Sequence, residues 1–117
     1  MKPVTYNFKT HVRGDGFNGV QFTLSNITTA TPIDLTAAII RCQFRKGSKS
    51  GGLSLDLSIG NGITVDDAVN GTFTLDAISS MELAVSIYYY DVEVTFSSGV
   101  VKTYVQGVLE IVNDVTR

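Results

Sequence analysis

Apolar and polar residues alternate with a period of two along most of the chain, in short runs separated by Gly, Asn, Asp and Ser. That pattern predicts half-buried strands joined by turns. The first predicted strand runs from Tyr6 to Val12, with Tyr6, Phe8 and Val12 in one register and His11 out of phase, facing solvent. Gly14-Asp15-Gly16 then turns the chain. Val20, Phe22 and Leu24 share one face of the next strand. Asn26 to Thr36 is a polar connection that contains Pro32 and Asp34. Beyond it Ala38, Ile40, Cys42 and Phe44 line one side of a strand whose other side carries Arg41, Gln43 and Arg45. Lys46 to Gly52, rich in Gly and Ser, predicts a mobile loop.

The second half repeats the theme. Leu53, Leu55, Leu57 and Ile59 alternate with Ser54, Asp56 and Ser58, and Gly60-Asn61-Gly62 turns into Ile63-Thr64-Val65. Asn70-Gly71 is a tight-turn dipeptide, followed by Phe73 and Leu75 on one face. Ala77 to Val85 lacks strict alternation and is the only stretch that could hold a short turn of helix. Tyr88, Tyr90, Val92, Val94 and Phe96 form one side of a long strand, with Asp91, Glu93 and Thr95 opposite. Ser97-Ser98-Gly99 closes a hairpin. The last run, Val100 to Val112, is interrupted by Gly107, which predicts a bulge. The whole predicts one all-β domain over residues 1–117, an antiparallel immunoglobulin-like β-sandwich with at most one short helical turn. It would be immunoglobulin-like only in its layers, because the chain has no Trp and a single Cys.

Composition narrows the function. With 117 residues, 44% hydrophobic and 17% charged, the chain can bury a core and is not a disordered tail. A formal net charge of −2 gives no basic excess for general nucleic-acid binding. No apolar run approaches the ~20 residues of a membrane span, and the opening Met1 to Tyr6 has no apolar signal region. Neither a nucleic-acid nor a membrane partner is therefore expected. Cys42, the one cysteine, alternates with Ile40 and Phe44 and reads as a small inward-facing residue rather than a reactive thiol.

The candidate chemistry is thin. A nucleophilic triad would have to use His11, the only histidine, and a zinc site would lack ligands. Asp66-Asp67 beside Asn70 reads as a solvated turn rather than a cation loop. Asp91 and Glu93 share one strand face, a weaker arrangement than the facing carboxylates of a glycosidase cleft. Arg13-Gly14-Asp15 matches an adhesion tripeptide but is equally good turn chemistry. Arg41, Arg45, Lys46 and Lys49 form the local basic stretch, read as a soluble strand edge and loop, with an acidic protein partner as the functional alternative. Within Tyr88-Tyr89-Tyr90, alternation sets Tyr89 apart from its neighbours. Tyr89, with Tyr104 on the next strand, is expected on a protein-contacting face, since Tyr supplies contact area at little entropic cost. The candidate interface is thus Tyr89, Tyr104, Arg41 and Arg45. No catalytic, cofactor or metal residue is assigned, and no cofactor is expected.

The order of these pieces resembles a family of phage tail and baseplate proteins, including the immunoglobulin-like N-terminal domain of siphophage baseplate upper proteins. The matching segments are Arg13-Gly14-Asp15 with Phe17 to Leu24, Ile33-Asp34-Leu35-Thr36-Ala37 leading into Ile39 to Arg45, and Gly62 to Val65. They continue with Asn70 to Leu75, Tyr88 to Val94, Gly99, Gly107 to Val112 and Asp114 to Arg117. The resemblance implies a non-enzymatic structural or adaptor protein of a bacteriophage or prophage particle. Such a protein would be a virion component assembled in the host cytoplasm, and bound to itself or to other phage structural proteins as an oligomer. Because the chain ends with this domain, no receptor-binding head is expected to follow. The alternative is a carbohydrate- or host-surface-binding sandwich module; a small hydrolase is the third reading.

Overall fold

The computed structural model describes residues 3–26 and 28–113. Met1, Lys2, Ile27 and Asp114 to Arg117, which enter some of the sequence readings, lie outside the described residues. Nine strands follow in chain order: β1 (Val4–Thr5), β2 (His11–Val12), β3 (Val20–Thr23), β4 (Ile39–Lys46), β5 (Leu53–Ile59), β6 (Gly62–Asp67), β7 (Thr72–Leu75), β8 (Ser86–Thr95) and β9 (Val101–Val112). Their order in the sheet is β1-β9-β8-β4-β5-β6-β7-β3, with β2 also on β9. The fold is all-β, without helix among the described residues. It is one mixed sheet curled into a half-barrel, not clearly two stacked sheets.

The antiparallel expectation is corrected at three places. β1 and β2 run parallel to β9, and β5 runs parallel to β6 over Ser58–Gly62 and Ile59–Ile63. Turn chemistry points only to antiparallel pairing of strands adjacent in sequence. The β1–β9 pair joins residues a hundred positions apart, and no turn announces it. The turn expected at Gly60-Asn61-Gly62 is present, since Ser58 and Asn61 exchange amide hydrogen bonds around Ile59-Gly60, but the strands it joins do not continue as an antiparallel hairpin. It is a tight step that carries the chain onward from β5 into β6.

Aromatic side chains fill the curl. Tyr6 meets Phe22 edge-on at 5.5 Å, so the first and last strands of the sheet face one another across its interior. Phe22 stacks on Phe73 at 5.6 Å, while Phe8 lies 4.9 Å from Tyr90 and 6.0 Å from Phe44. Ring pairs at these separations add to the burial of the rings themselves. Ile40, Cys42, Phe44, Tyr88, Tyr90, Val92 and Val94 form the inner side of β4 and β8, all at most 4% exposed.

Local departures follow from backbone events. The predicted first strand breaks between Thr5 and His11, which moves His11 into phase with Ile111. Its ring is half-buried, 6.0 Å from Phe17, and is not directed to solvent as expected. Ala77 to Val85 forms no helix. Instead its backbone pairs with the preceding turn: Ile78 exchanges amide hydrogen bonds with Phe17, and the Met81 amide donates to Asp15 O. In β5 the register shifts opposite Phe44 and Arg45, leaving Ser54 unpaired and turning Leu53 away from Leu55 to the outer side, 48% exposed.

The bulge expected at Gly107 lies three residues earlier. Val92 pairs with Val105 and Glu93 with Thr103, so Tyr104 is the extra residue. Gly107 serves a different need. A Cβ there would come within 2.0 Å of the Tyr6 carbonyl oxygen, so only glycine lets the N-terminal segment lie against β9. The Tyr90 hydroxyl donates to that same carbonyl at 2.6 Å, and the Asn7 side chain accepts from the Val108 amide at 3.1 Å.

Candidate functional site

β5, β4, β8 and β9 lie side by side, and their outward side chains make a four-strand face. Register fixes its layout. Across β4 and β8, Arg41 pairs with Glu93, Gln43 with Asp91 and Arg45 with Tyr89. On the flanks, Asp91 pairs with Gln106 and Tyr89 with Val108 on β9, while Gln43 pairs with Asp56 on β5. The central rows are polar and the row through Leu53, Tyr89 and Val108 is partly apolar.

Arg41 is exposed and donates from Nη2 to Asp56 Oδ2 at 3.0 Å. Arg45 is half-buried; its Nη1 donates to Gly51 O at 3.1 Å and its Nη2 to Gln43 Oε1 at 3.3 Å, which fixes the plane of the guanidinium. β4 sits between β8 and β5, so these arginines stand on the face of an interior strand. The sequence reading that placed them at a strand edge is corrected accordingly. The side chains of Asp91 and Glu93 make no hydrogen bond or ion pair among the described residues.

Tyr89 is half-buried and lines a shallow groove with Gln43, Arg45, Lys49, Asp91 and Gln106. At about 80 Å³ this groove is far smaller than the ~300–1,000 Å³ of ligand pockets, so it suits surface contact better than enclosure. A second concavity of about 300 Å³ lies against Pro3, Val101, Lys102 and Thr103. Its single ionisable lining residue, Lys102, offers no acid–base pair.

Tyr104 does not join Tyr89. The bulge at Tyr104 turns its ring inward, where it is 7% exposed and meets Phe96 edge-on at 6.3 Å. Burial pushes its phenol above the ordinary value. Of the four sequence-selected residues, Tyr89, Arg41 and Arg45 share the outer face and Tyr104 does not. Gln43, Asp91, Glu93 and Gln106 complete that face. The signal that could have grouped them is the register of β4 against β8, whose members lie some fifty residues apart.

Other candidates resolve into structure. Asp66 Oδ2 accepts from Thr74 Oγ1 at 2.6 Å and Gln21 Nε2 at 3.2 Å, and Asp67 accepts from the Asn70 side-chain amide at 2.7 Å. These carboxylates tie strands and turn together, and no cluster of three metal-ligating side chains occurs among the described residues. In the Arg13-Gly14-Asp15 turn, Gly14 is buried, its carbonyl accepts from Ser80 Oγ at 2.9 Å, and Arg13 faces Glu82 at 3.7 Å. The turn's backbone is packed against the 78–82 segment, while the Arg13 and Asp15 side chains are exposed. His11 Nε2 lies 2.9 Å from the Asp15 carbonyl oxygen, a contact within the turn. Compared with known proteins, the chain matches no family model, and no curated protein matches it significantly.

Proposed function

We propose that this chain is a non-enzymatic structural or adaptor protein of a bacteriophage or prophage particle, working in the tail, baseplate or connector region by protein–protein contact. The observation that carries the reading is the outer face of β5, β4, β8 and β9. It sets Tyr89, Arg41 and Arg45 on a rigid sheet, over a groove too shallow to enclose a substrate. Aromatic and arginine side chains are the types enriched where proteins meet. The order of turn and strand motifs, which resembles small phage tail and baseplate proteins, supplies the setting. In this reading the layering is immunoglobulin-like. One layer holds β1, β2, β9, β8, β4 and β5; the other holds β6, β7 and β3; the Ser58–Ile63 step joins them. The two-residue contact between β5 and β6 and the rings of Phe22 and Phe73 against the Tyr6 side favour it.

Mass spectrometry of purified particles, with cross-linking, tests the role. The chain is expected in the particle, with cross-links from Lys49 or Lys102 to a tail or baseplate protein. Particles that lack it overturn the proposal. A second reading, a carbohydrate-binding module, draws on Tyr89 flanked by Gln43, Asp91 and Gln106, since a ring edged by amides and carboxylates can hold a sugar. Saturable binding on a glycan array, lost in Tyr89→Ser, would favour that reading over the first.

A further inference from the structure

Each cross-strand pair at the centre of the outer face joins chemically complementary partners: Arg41 with Glu93, Gln43 with Asp91, Arg45 with Tyr89. A cation sits beside an anion, an amide beside a carboxylate, a guanidinium beside a phenol ring. All the first members stand on β4 and all the second on β8. We propose that this face binds a second copy of the chain, through a two-fold axis running parallel to the strands between β4 and β8.

The geometry follows from the register. Such an axis places β4 of one copy over β8 of the other without shifting the rows. Arg41 then meets Glu93 of the second copy, Gln43 meets Asp91, and Arg45 lies over the ring of Tyr89, each contact occurring twice. An in-plane axis across the strands, through the Gln43–Asp91 row, would set Asp91 against Asp91 and Arg41 against Arg45, and repel. Within one copy the side chains of Asp91 and Glu93 have no hydrogen-bond or ion-pair partner among the described residues, so both carboxylates are available. The guanidinium of Arg45 is already held flat by Gly51 O and Gln43 Oε1. Aligned sheets pack face to face at about 10 Å, a distance these side chains can fill from both sides.

Size sets the strength. Four strands spaced by about 4.8 Å and roughly seven residues long give a face on the order of 450 Å² per copy. The total, about 900 Å², falls below the ~1,200 Å² of standard interfaces and in the range of weak, transient ones. The dimer is therefore reversible and concentration-dependent, suited to a subunit whose contacts are multiplied in a larger assembly. This inference rests on the proposed role in protein contact.

A charge exchange between two variants tests it. Sedimentation of the wild-type chain at rising concentration is expected to shift from 12.6 kDa toward twice that mass. Arg41→Glu alone sets Glu against Glu93, and Glu93→Arg alone sets Arg against Arg41, so each variant is expected to remain monomeric. Mixed in equal amounts, they restore both contacts and are expected to form a heterodimer. Misfolded variants could not assemble on mixing. If either fails to fold, Arg41→Gln should still weaken the wild-type dimer by about tenfold, the loss of a charged interface pair. A wild-type chain that stays monomeric, or single variants that dimerise as well as wild type, overturns the proposal. If the monomeric chain is nonetheless found cross-linked in particles, the structural role stands and only the self-association fails.

Discussion

Strands β4 and β8 present two faces built from alternate residues of the same backbone, and those faces obey different rules. The inner one carries Ile40, Cys42, Phe44, Tyr88, Tyr90, Val92 and Val94, packed to near-zero exposure. The outer one carries Arg41, Gln43, Arg45, Tyr89, Asp91 and Glu93, with a few hydrogen bonds and one ion pair. Neighbours along the chain therefore differ sharply in what they do. Inner residues set whether the sheet exists, because each removes apolar area from water at about 25 cal/mol per Å². Outer residues contribute little to folding and are free to be chosen for what they touch. The largest break in that contrast should come from Phe44→Ala, which removes a 2%-exposed ring stacked on Tyr90 at 5.1 Å. We expect a loss of about 3–5 kcal/mol in denaturant melts, as for other buried Phe truncations.

Strand alternation made most of this contrast legible in the sequence. The inner sets on β4 and β8, the buried Cys42, and the turns at Asn70-Gly71 and Ser97-Ser98-Gly99 all stand where periodicity placed them. The residues that changed face share one cause. Leu53, His11 and Tyr104 changed face because a register shift or a strand break moved the phase by one residue, and a period of two turns such a step into a full reversal. Ser54 and Tyr104 carry no residue-type signal for a bulge. Gly107 carries one, but it marks the approach of Tyr6, which is contact across a hundred residues. The outer face was legible strand by strand. Its pairing of Arg41 with Glu93 and Arg45 with Tyr89 required the non-local register.

Alkali should probe the inner face selectively. Burial, followed by the nearby Asp91 and Asp56 charges, pushes the Cys42 thiol far above its ordinary value of 9.0. Burial likewise raises Tyr88, Tyr90 and Tyr104 above 10.0. The folded chain thus keeps protons that the unfolded chain releases. Stability from these groups is fully present below the unfolded values and is lost as pH rises past them. For Cys42 alone the loss reaches on the order of 3 kcal/mol by pH 11. Melts across pH 8 to 11 should show the decline beginning near pH 9, and Cys42→Ala should remove its earliest part. An unchanged profile in Cys42→Ala would show that the thiol ionises in the folded chain.

Gly107→Ala tests how the N-terminal segment closes the interior. The added methyl would press on the Tyr6 carbonyl, where backbone cannot yield as a flexible side chain can. We expect a cost of about 1–3 kcal/mol. Hydrogen exchange should localise it: the Tyr6 and Phe8 amides, which donate to Gln106 O and Val108 O, should lose protection before those of β4. Tyr90→Phe is the milder version. It keeps the ring between Phe8 and Phe44 and removes only the 2.6 Å hydrogen bond to Tyr6 O, for about 1–2 kcal/mol.

The smallest effect on folding is the sharpest check on the outer face. Asp56→Asn removes the carboxylate that holds Arg41 at 3.0 Å, yet the two side chains are 40% and 49% exposed. Water already solvates both groups, and holding two mobile side chains in one geometry offsets much of their attraction. Such pairs contribute about 0–1 kcal/mol. The melting curve should therefore barely move, by an amount far below that of Phe44→Ala in the adjacent row of the same sheet. The freed guanidinium has a different consequence. With Asp56 neutral, Arg41 loses its competitor within the copy and can turn wholly to Glu93 of a second copy. Self-association should hold or tighten while stability stays level. A fall in stability of several kcal/mol would instead show that the outer pair helps hold β5 to β4, and that the two faces are not separable.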